Sequence, residues 1–290
     1  MSNDFPAQAP IDHLAEGREP ADLSEGAGLR MEIDESVATI VFDRPAALNA
    51  VNVAMARAFR DAIERVALDP SVRVLMLRGQ GRAFMAGGDI GQMSADPVGN
   101  AGRIIGPLHQ GLLRMSELPI PVLASLHGAV AGAGMSIALA ADLAVSADDA
   151  QFQMAYTRIG ASPDASGSWH LARLVGLRKA MELTLLSETI DAPQALALGL
   201  VNRVVPAAQL ASYSRELAAR LAAGAVHAFG RSKALLRGAA LRSLGEQLEA
   251  ERMAFLEGAA GAEFREGVDA FLAKRRPDFP AAAPGVNQRR

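Results

Sequence analysis

Residues 121–142 read PVLASLHGAVAGAGMSIALAAD, and the reading of this stretch decides the fold. Val122, Leu123 and Leu126 follow a proline that can open a strand but not continue one, so the segment begins as a buried strand. From Met135 to Leu143 it is apolar nearly all round, as a buried helix would be. Between the two lie Gly128, Gly132 and Gly134, separated only by Ala and Val. Small residues at a turn let backbone approach backbone, or approach a ligand. The first amides of the following helix have no carbonyl partner within it and carry the positive end of its dipole. A developing negative charge can be held there. Plain tight packing explains such a turn equally well, and the stretch alone leaves both readings open.

A second strand-to-turn passage precedes it. Residues 72–77 are a near-continuous apolar run, the mark of a strand buried on both faces. Gly79-Gln80-Gly81 follows, then AFMAGGDI at 83–90. Upstream, residues 29–42 predict a hairpin turning at 34–36. Asn52 predicts the cap of a helix over 53–68 with Ala56, Phe59, Ile63 and Val66 buried. Residues 91–102 read as a polar loop, and 103–117 as a helix whose face places His109 inward with Ile105, Leu112 and Leu113. Short strands are expected at 142–146, 150–153 and 200–205. Residues 160–167, GASPDASG, form a loop carrying Asp164, and helices follow over 168–174, 177–186 and 192–197. Everything from 207 to 274 reads as helix. Alternating strands and helices followed by a helical tail predict an α/β core with a helical appendage. The expected division is an N-terminal arm at 1–28, a core at 29–206 and a helical region at 207–290.

Composition removes several function classes. The 290 residues carry a net charge of −3, no Cys and five scattered His. A Cys nucleophile and thiolate metal sites are therefore excluded, and no metal site is expected. Aromatics make up 4 %, too few for a base-stacking platform, and helix 53–68 mixes Arg57, Arg60 and Arg65 with Asp61 and Glu64. No nucleic acid partner is expected. No apolar run reaches membrane-spanning length, and residues 1–28 have neither a signal-peptide core nor an Arg-rich transit pattern. A cytoplasmic location without membrane contact is the expectation.

Six ordered motifs, DRPAALNAVN (43–52), RAFMAGGDI (82–90), the 121–142 stretch, AQFQMAYTRIGASPDASGSWHLARLVG (150–176), AMELTLLSETIDAPQALALGLVNRVVP (180–206) and FREGVDAFLAKRRPDF (264–279), resemble the enoyl-CoA hydratase/isomerase (crotonase) superfamily. The resemblance spans about residues 29–279. It implies a crotonase-like spiral of ββα units whose C-terminal helices build trimers, often paired into hexamers. It implies acyl-CoA thioester substrates, with coenzyme A as part of the substrate and no separate cofactor. It implies an oxyanion hole formed by the N–H groups of Gly88 and Ala133. Where the family usually carries Gly at the second of these, Ala133 keeps the N–H and adds a methyl. The CoA would lie along Ala46, Ala47 and Leu48 and along Ala86, Gly88, Asp89, Ile90 and Gly91. Arg44, and Lys274 and Phe279 of a neighbouring subunit, are candidates for the nucleotide end.

The chain departs from the family's hydratases, which use two Glu to orient one water. Ser136 and Tyr156 stand at those positions. Asp164 stands where several isomerases of the family carry their catalytic acid/base, and PDASGSWHLARLVG resembles the phenylacetate-pathway epoxide-CoA isomerases. A single carboxylate suits isomerisation, since it can take a proton from one carbon and return it to another. Asp164 could instead cap a helix beginning near Ala165, and the two roles are compatible. His109 aligns with a His that assists an Asp nucleophile in the family's aromatic acyl-CoA dehalogenases; a half-buried structural His is the other reading. Tyr156 would bond or line the acyl group, and Trp169 reads as packing. Isomerase is the leading expectation. A hydratase with atypical residues, an Asp-nucleophile hydrolase and a non-catalytic CoA-binding oligomer are the alternatives.

Overall fold

In the computed structural model, which describes residues 26–282, the chain opens with the expected hairpin. Most of the expected 1–28 arm lies outside the described residues. Strands β1 (Leu29–Asp34) and β2 (Val37–Phe42) pair antiparallel in register Leu29↔Phe42 to Asp34↔Val37. Helix α1 (Val53–Leu68) begins at Asn52, whose side chain accepts the Met55 N–H at 2.8 Å, and it buries the four predicted residues.

The same passage then occurs three times: a longer apolar strand, a short strand, and a helical segment. It runs β3 (Val74–Gly79), β4 (Ala83–Met85), α2 (Ile90–Ser94) and α3 (Pro97–Glu117). It runs again as β5 (Val122–Leu126), β6 (Ala129–Ala131) and α4 (Ala133–Ala140), then as β7 (Leu143–Ala147), β8 (Gln151–Gln153) and α5 (Gly167–Leu185). The remainder is β9 (Ile190–Asp191), α6 (Ala192–Ala197), β10 (Arg203–Val205), α7 (Ala207–Ala222), α8 (Val226–Ala239), α9 (Leu244–Ala259), α10 (Ala262–Leu272) and α11 (Phe279–Ala282). The longer strands form one sheet in the order β1-β2-β3-β5-β7-β10; the short ones form another, β4-β6-β8-β9. All pairs are parallel except β1–β2 and β8–β9. Each unit steps from the large sheet to the small one and returns through helix, so the chain advances as a spiral. The large sheet is covered on both sides. Leu75 and Leu77 face the main core, whereas Val74 and Met76 face α7 through Leu210, Ala218 and Ala222. This two-sided burial is the reason that β3 reads as a continuous apolar run.

Two expectations are corrected. Residues 91–102 are not a loop: α2 and the start of α3 occupy them. The Asp89 carboxylate accepts the Gln92 N–H at 3.0 Å, the Asp96 carboxylate accepts the Gly99 N–H at 3.1 Å, and Pro97 opens α3. Capping overrides a polar composition here. Residues 129–131 are a strand rather than part of the turn, because β6 is sheltered between β4 and β8. The predicted break between helices at 174–177 is real: Gly176 interrupts α5 at φ 75° and ψ 158°.

A charge cluster ties α8 to this core. The Asp142 carboxylate accepts Lys233 Nζ at 2.7 Å, Arg237 Nη2 at 2.8 Å and the Val122 N–H at 2.9 Å. His170 on α5 lines one groove with Asp142, Lys233 and Arg237. Burial first, then the Arg237 and Arg173 guanidinium groups, push its imidazole down to about 4, against the pull of Asp142. The unfolded chain binds that proton below about 6.5. Stability conferred by the neutral ring is therefore present above about pH 6.5 and lost as pH falls toward 4. His170→Gln is expected to flatten the decline in urea midpoint between about pH 7 and 5, by on the order of 1 kcal/mol after allowance for solvent screening. An unchanged decline would remove His170 as its source.

Candidate active site

Strands β4, β6 and β8 are adjacent and parallel, so their C-terminal ends open on one edge of the small sheet. Gly87 and Gly88 follow β4; Gly132 and Ala133 follow β6; Tyr156 follows β8 in a 3-10 turn, Ala155–Ile159. The two glycine turns abut. A Cβ built on Gly132 would lie 3.4 Å from Gly87 Cα, and one on Gly87 would lie 4.0 Å from the Ala133 nitrogen. Gly87 (φ 116°) and Gly132 (φ 51°) hold backbone that other residues rarely adopt. The Val51 N–H donates to Gly87 O at 2.8 Å and the Asp89 N–H to Val51 O at 2.8 Å, which clamps the chain on both sides of Gly88. Among the described residues, neither the Gly88 N–H nor the Ala133 N–H donates to a protein acceptor.

Gly134 sets how closely α4 can approach. A Cβ there would fall 2.2 Å from Met85 O and 2.7 Å from Met85 Cβ. Gly134→Ala is expected to destabilise the protein by about 1–3 kcal/mol as an overpacked core site and to lower turnover by shifting the neighbouring Ala133 amide. A thermal melt and kcat, measured together, check this; a variant unchanged in both would contradict the close approach.

Residues 44–51 are welded to the same edge. Pro45–Ala47 form a 3-10 turn, and Leu48 O accepts the Ala86 N–H at 3.0 Å. Ala46, Ala47 and Leu48 therefore lie next to the Ala86–Gly91 segment. The residue that does this went unread in the sequence. Asn49, fully buried at φ 59°, donates from Nδ2 to Gln80 O at 3.0 Å and Ala83 O at 2.8 Å, and its Oδ1 accepts the Arg44 N–H at 2.8 Å. Its cue was a polar residue inside an otherwise small, apolar run. Arg44, a candidate for the nucleotide end, is engaged within the fold. Its guanidinium donates to Ala50 O at 2.5 Å and to the Asp89 carboxylate at 2.9 Å. Asp89 is held below the usual carboxylate range by the Gln92 amide and by Arg44.

Ser136, one turn into α4, lies 2.9 Å from the Tyr156 hydroxyl. The buried Tyr156 O–H donates to Asp164 Oδ1, so Ser136 Oγ is the donor to Tyr156. Burial first, then the charge of Asp164, raise the Tyr156 phenol far above its usual range, and it stays protonated. Asp164 Oδ2 accepts no hydrogen bond from the described residues. Asp164 does not cap a helix with its side chain. Helix α5 starts at Gly167, and its cap residue is Ser166 in the left-handed region. Gly167 lets this helix start rest on α4, since a Cβ there would meet Ser136 Oγ at 2.3 Å.

His109 does not point inward. The buried face of α3 is Ile104, Leu108, Gly111, Leu112 and Met115, and His109 stands exposed at its margin. From there Nε2 accepts the Ala165 N–H at 3.0 Å. Trp169, expected to pack, is 43 % exposed with the Arg173 guanidinium 3.8 Å from its ring centre. The fold thus draws Gly88, Ala133, Tyr156, Asp164 and His109 around one sheet edge.

The family description Enoyl-CoA hydratase/isomerase matches residues 32–282. The chain belongs to the enoyl-CoA hydratase/isomerase family. The "Probable enoyl-CoA hydratase" of Rhodobacter capsulatus is 41 % identical over 87 % of this chain and 97 % of its own length. The 1,2-epoxyphenylacetyl-CoA isomerase of Escherichia coli is 36 % identical over 85 % and 96 %. A Thermobifida fusca enoyl-CoA hydratase family structure, solved in complex with acetoacetyl-CoA, superposes with a TM-score of 0.76 at 32 % identity, covering 81 % of this chain and 95 % of that one. This enoyl-CoA hydratase/isomerase family enzyme has the crotonase α/β fold, and among its described residues no helix is long and apolar enough to cross a membrane.

Proposed function

We propose that this enzyme isomerises an acyl-CoA thioester, moving a double bond or opening a strained ring, with Asp164 as the proton carrier. The observation that carries the proposal is the Ser136–Tyr156–Asp164 chain. At the two positions where the family's hydratases carry Glu, this chain has a hydroxyl and a neutral phenol, and both are spent on orienting one remaining carboxylate. Water addition by two acids lacks its acids here. In the proposed reaction Asp164 Oδ2 removes a proton from the carbon beside the thioester carbonyl. Negative charge moves onto the thioester oxygen, where the Gly88 and Ala133 N–H groups hold it, each worth on the order of 3 kcal/mol in a dry site. Oδ2 then returns the proton to the far carbon of the dienolate. Tyr156 keeps the carboxylate aimed and, being uncharged, does not oppose the dienolate.

The CoA is proposed to run past Ala46–Leu48 and Ala86–Gly91, whose backbone borders the amides. The similarity to a relative named for an epoxyphenylacetyl-CoA and to a structure holding acetoacetyl-CoA supports a CoA thioester. A homotrimer or hexamer is proposed as well. The groove of about 700 Å³ among α8, α9, α10 and α11, lined by Phe255, Phe264, Phe271 and Phe279, leaves large apolar side chains uncovered in one protomer. Light scattering on the eluting protein tests it, and a monomer would refute it.

The test of function is incubation with a trans-3-enoyl-CoA in deuterated water. Appearance of the conjugated 2-enoyl thioester, with little deuterium at the far carbon because Asp164 carries the substrate's own proton across, supports the reading. Rapid hydration of crotonyl-CoA without double-bond migration would make the enzyme a hydratase. CoA binding with no turnover of enoyl, epoxy or halogenated thioesters would make it a binding oligomer.

A further inference from the structure

We infer that His109 is a positioning residue that aims Asp164 by accepting the Ala165 N–H, in the neutral tautomer with its proton on Nδ1. The inference rests on the proposed role of Asp164. The turn behind that carboxylate is unfavourable: Ala165 (φ 48°) and Ser166 (φ 64°) are consecutive non-glycine residues in the left-handed region. Such backbone persists only where its surroundings over-determine it. The Ser166 side chain does not hold it. Ser166 Oγ is buried with no hydrogen-bond partner, and Ser166 makes no side-chain cap for α5.

The peptide unit joining Asp164 to Ala165 is instead gripped at both ends. Its carbonyl, Asp164 O, accepts the Gly167 N–H at 2.9 Å. Its N–H donates to His109 Nε2 at 3.0 Å. The first grip comes from the helix that the turn itself starts; the second comes from α3, an element the turn does not belong to. His109 therefore anchors the peptide plane from which the Asp164 side chain projects, while Tyr156 fixes that side chain's Oδ1. Because an amide N–H needs a lone pair, Nε2 is unprotonated. That lone pair is not available to deprotonate a water, so the geometry gives His109 a structural hold on the acid and leaves it without the role of base.

The test is a set of three variants. The amide oxygen of Gln reaches as far from the backbone as Nε2, that of Asn only as far as Nδ1, and Phe keeps the ring without an acceptor. His109→Phe and His109→Asn are expected to lower kcat for 3-enoyl-CoA isomerisation by about 10–100-fold with KM changed less than about threefold, as misplacement of a reacting group by about 1 Å does. His109→Gln is expected to stay within about threefold of the parent. On substrate-free protein, Ala165 amide exchange should accelerate in the Phe variant and not in the Gln variant, and ¹⁵N shifts should show Nε2 unprotonated and Nδ1 protonated. A Gln variant as impaired as Phe, unaltered Ala165 exchange, or a protonated Nε2 overturns the inference. If Asp164→Asn keeps full activity, the proposed function fails instead, and the exchange and ¹⁵N readouts still judge the His109 bond.

Discussion

Asp164→Asn is expected to lower isomerase turnover by about 10²–10⁴-fold, the range that a positioned acid/base contributes. The substitution is nearly isosteric. Asn Oδ1 still accepts the Tyr156 O–H, so the chain from Ser136 stays intact and the turn at Ala165 and Ser166 is not asked to move. What changes is the second oxygen, replaced by an NH2 that cannot take a proton. The urea midpoint should therefore stay within about 1.5 kcal/mol equivalent of the parent, the difference between a charge-assisted hydrogen bond and the neutral one that replaces it. Activity loss together with retained stability separates proton transfer from simple support of the fold. Crotonyl-CoA hydration that survives Asp164→Asn at full rate would assign the chemistry elsewhere.

Ala133→Pro is expected to cost at least about 10²-fold in kcat, the scale of losing one oxyanion donor. The position permits a clean deletion. Ala133 is the first residue of α4, where proline is tolerated because that N–H has no helical partner. The preceding Gly132, at φ 51° and ψ −122°, occupies the mirror image of the extended conformation that residues before proline prefer, which only glycine can use. The fold should persist by circular dichroism while the amide is gone and the ring's Cδ stands where its hydrogen was. Undiminished turnover would show that charge does not collect at this amide.

The two strand-to-turn passages were legible because their physics is local. Buried strands between helices demand runs such as 72–77, and close approach of backbone to backbone demands glycine. Asn52 likewise declares a cap, and the break between 174 and 177 is declared by its own neighbourhood. Local polarity misled at 91–102, where Asp89 and Asp96 convert a polar stretch into two helix starts. It misled again at His109, because helical spacing places a residue on a face but cannot say how wide the buried stripe is. Asn49 went unread because its partners, Gln80 and Ala83, lie more than 30 residues along the chain.

From sequence alone came the alternation of strand and helix and the glycine turns, since each depends on residue type or on neighbours within one turn, and the resemblance to the family marked the two positions without Glu and the acid at 164. Only the folded chain decided that β4, β6 and β8 lie side by side, so that amides 45 residues apart come to one edge. It alone decided that Asp164 answers to Tyr156 rather than to a helix, and that His109 grips the peptide behind it. Those outcomes depend on which elements pack together, and a hydrogen bond between distant segments leaves no periodic trace in the order of residues.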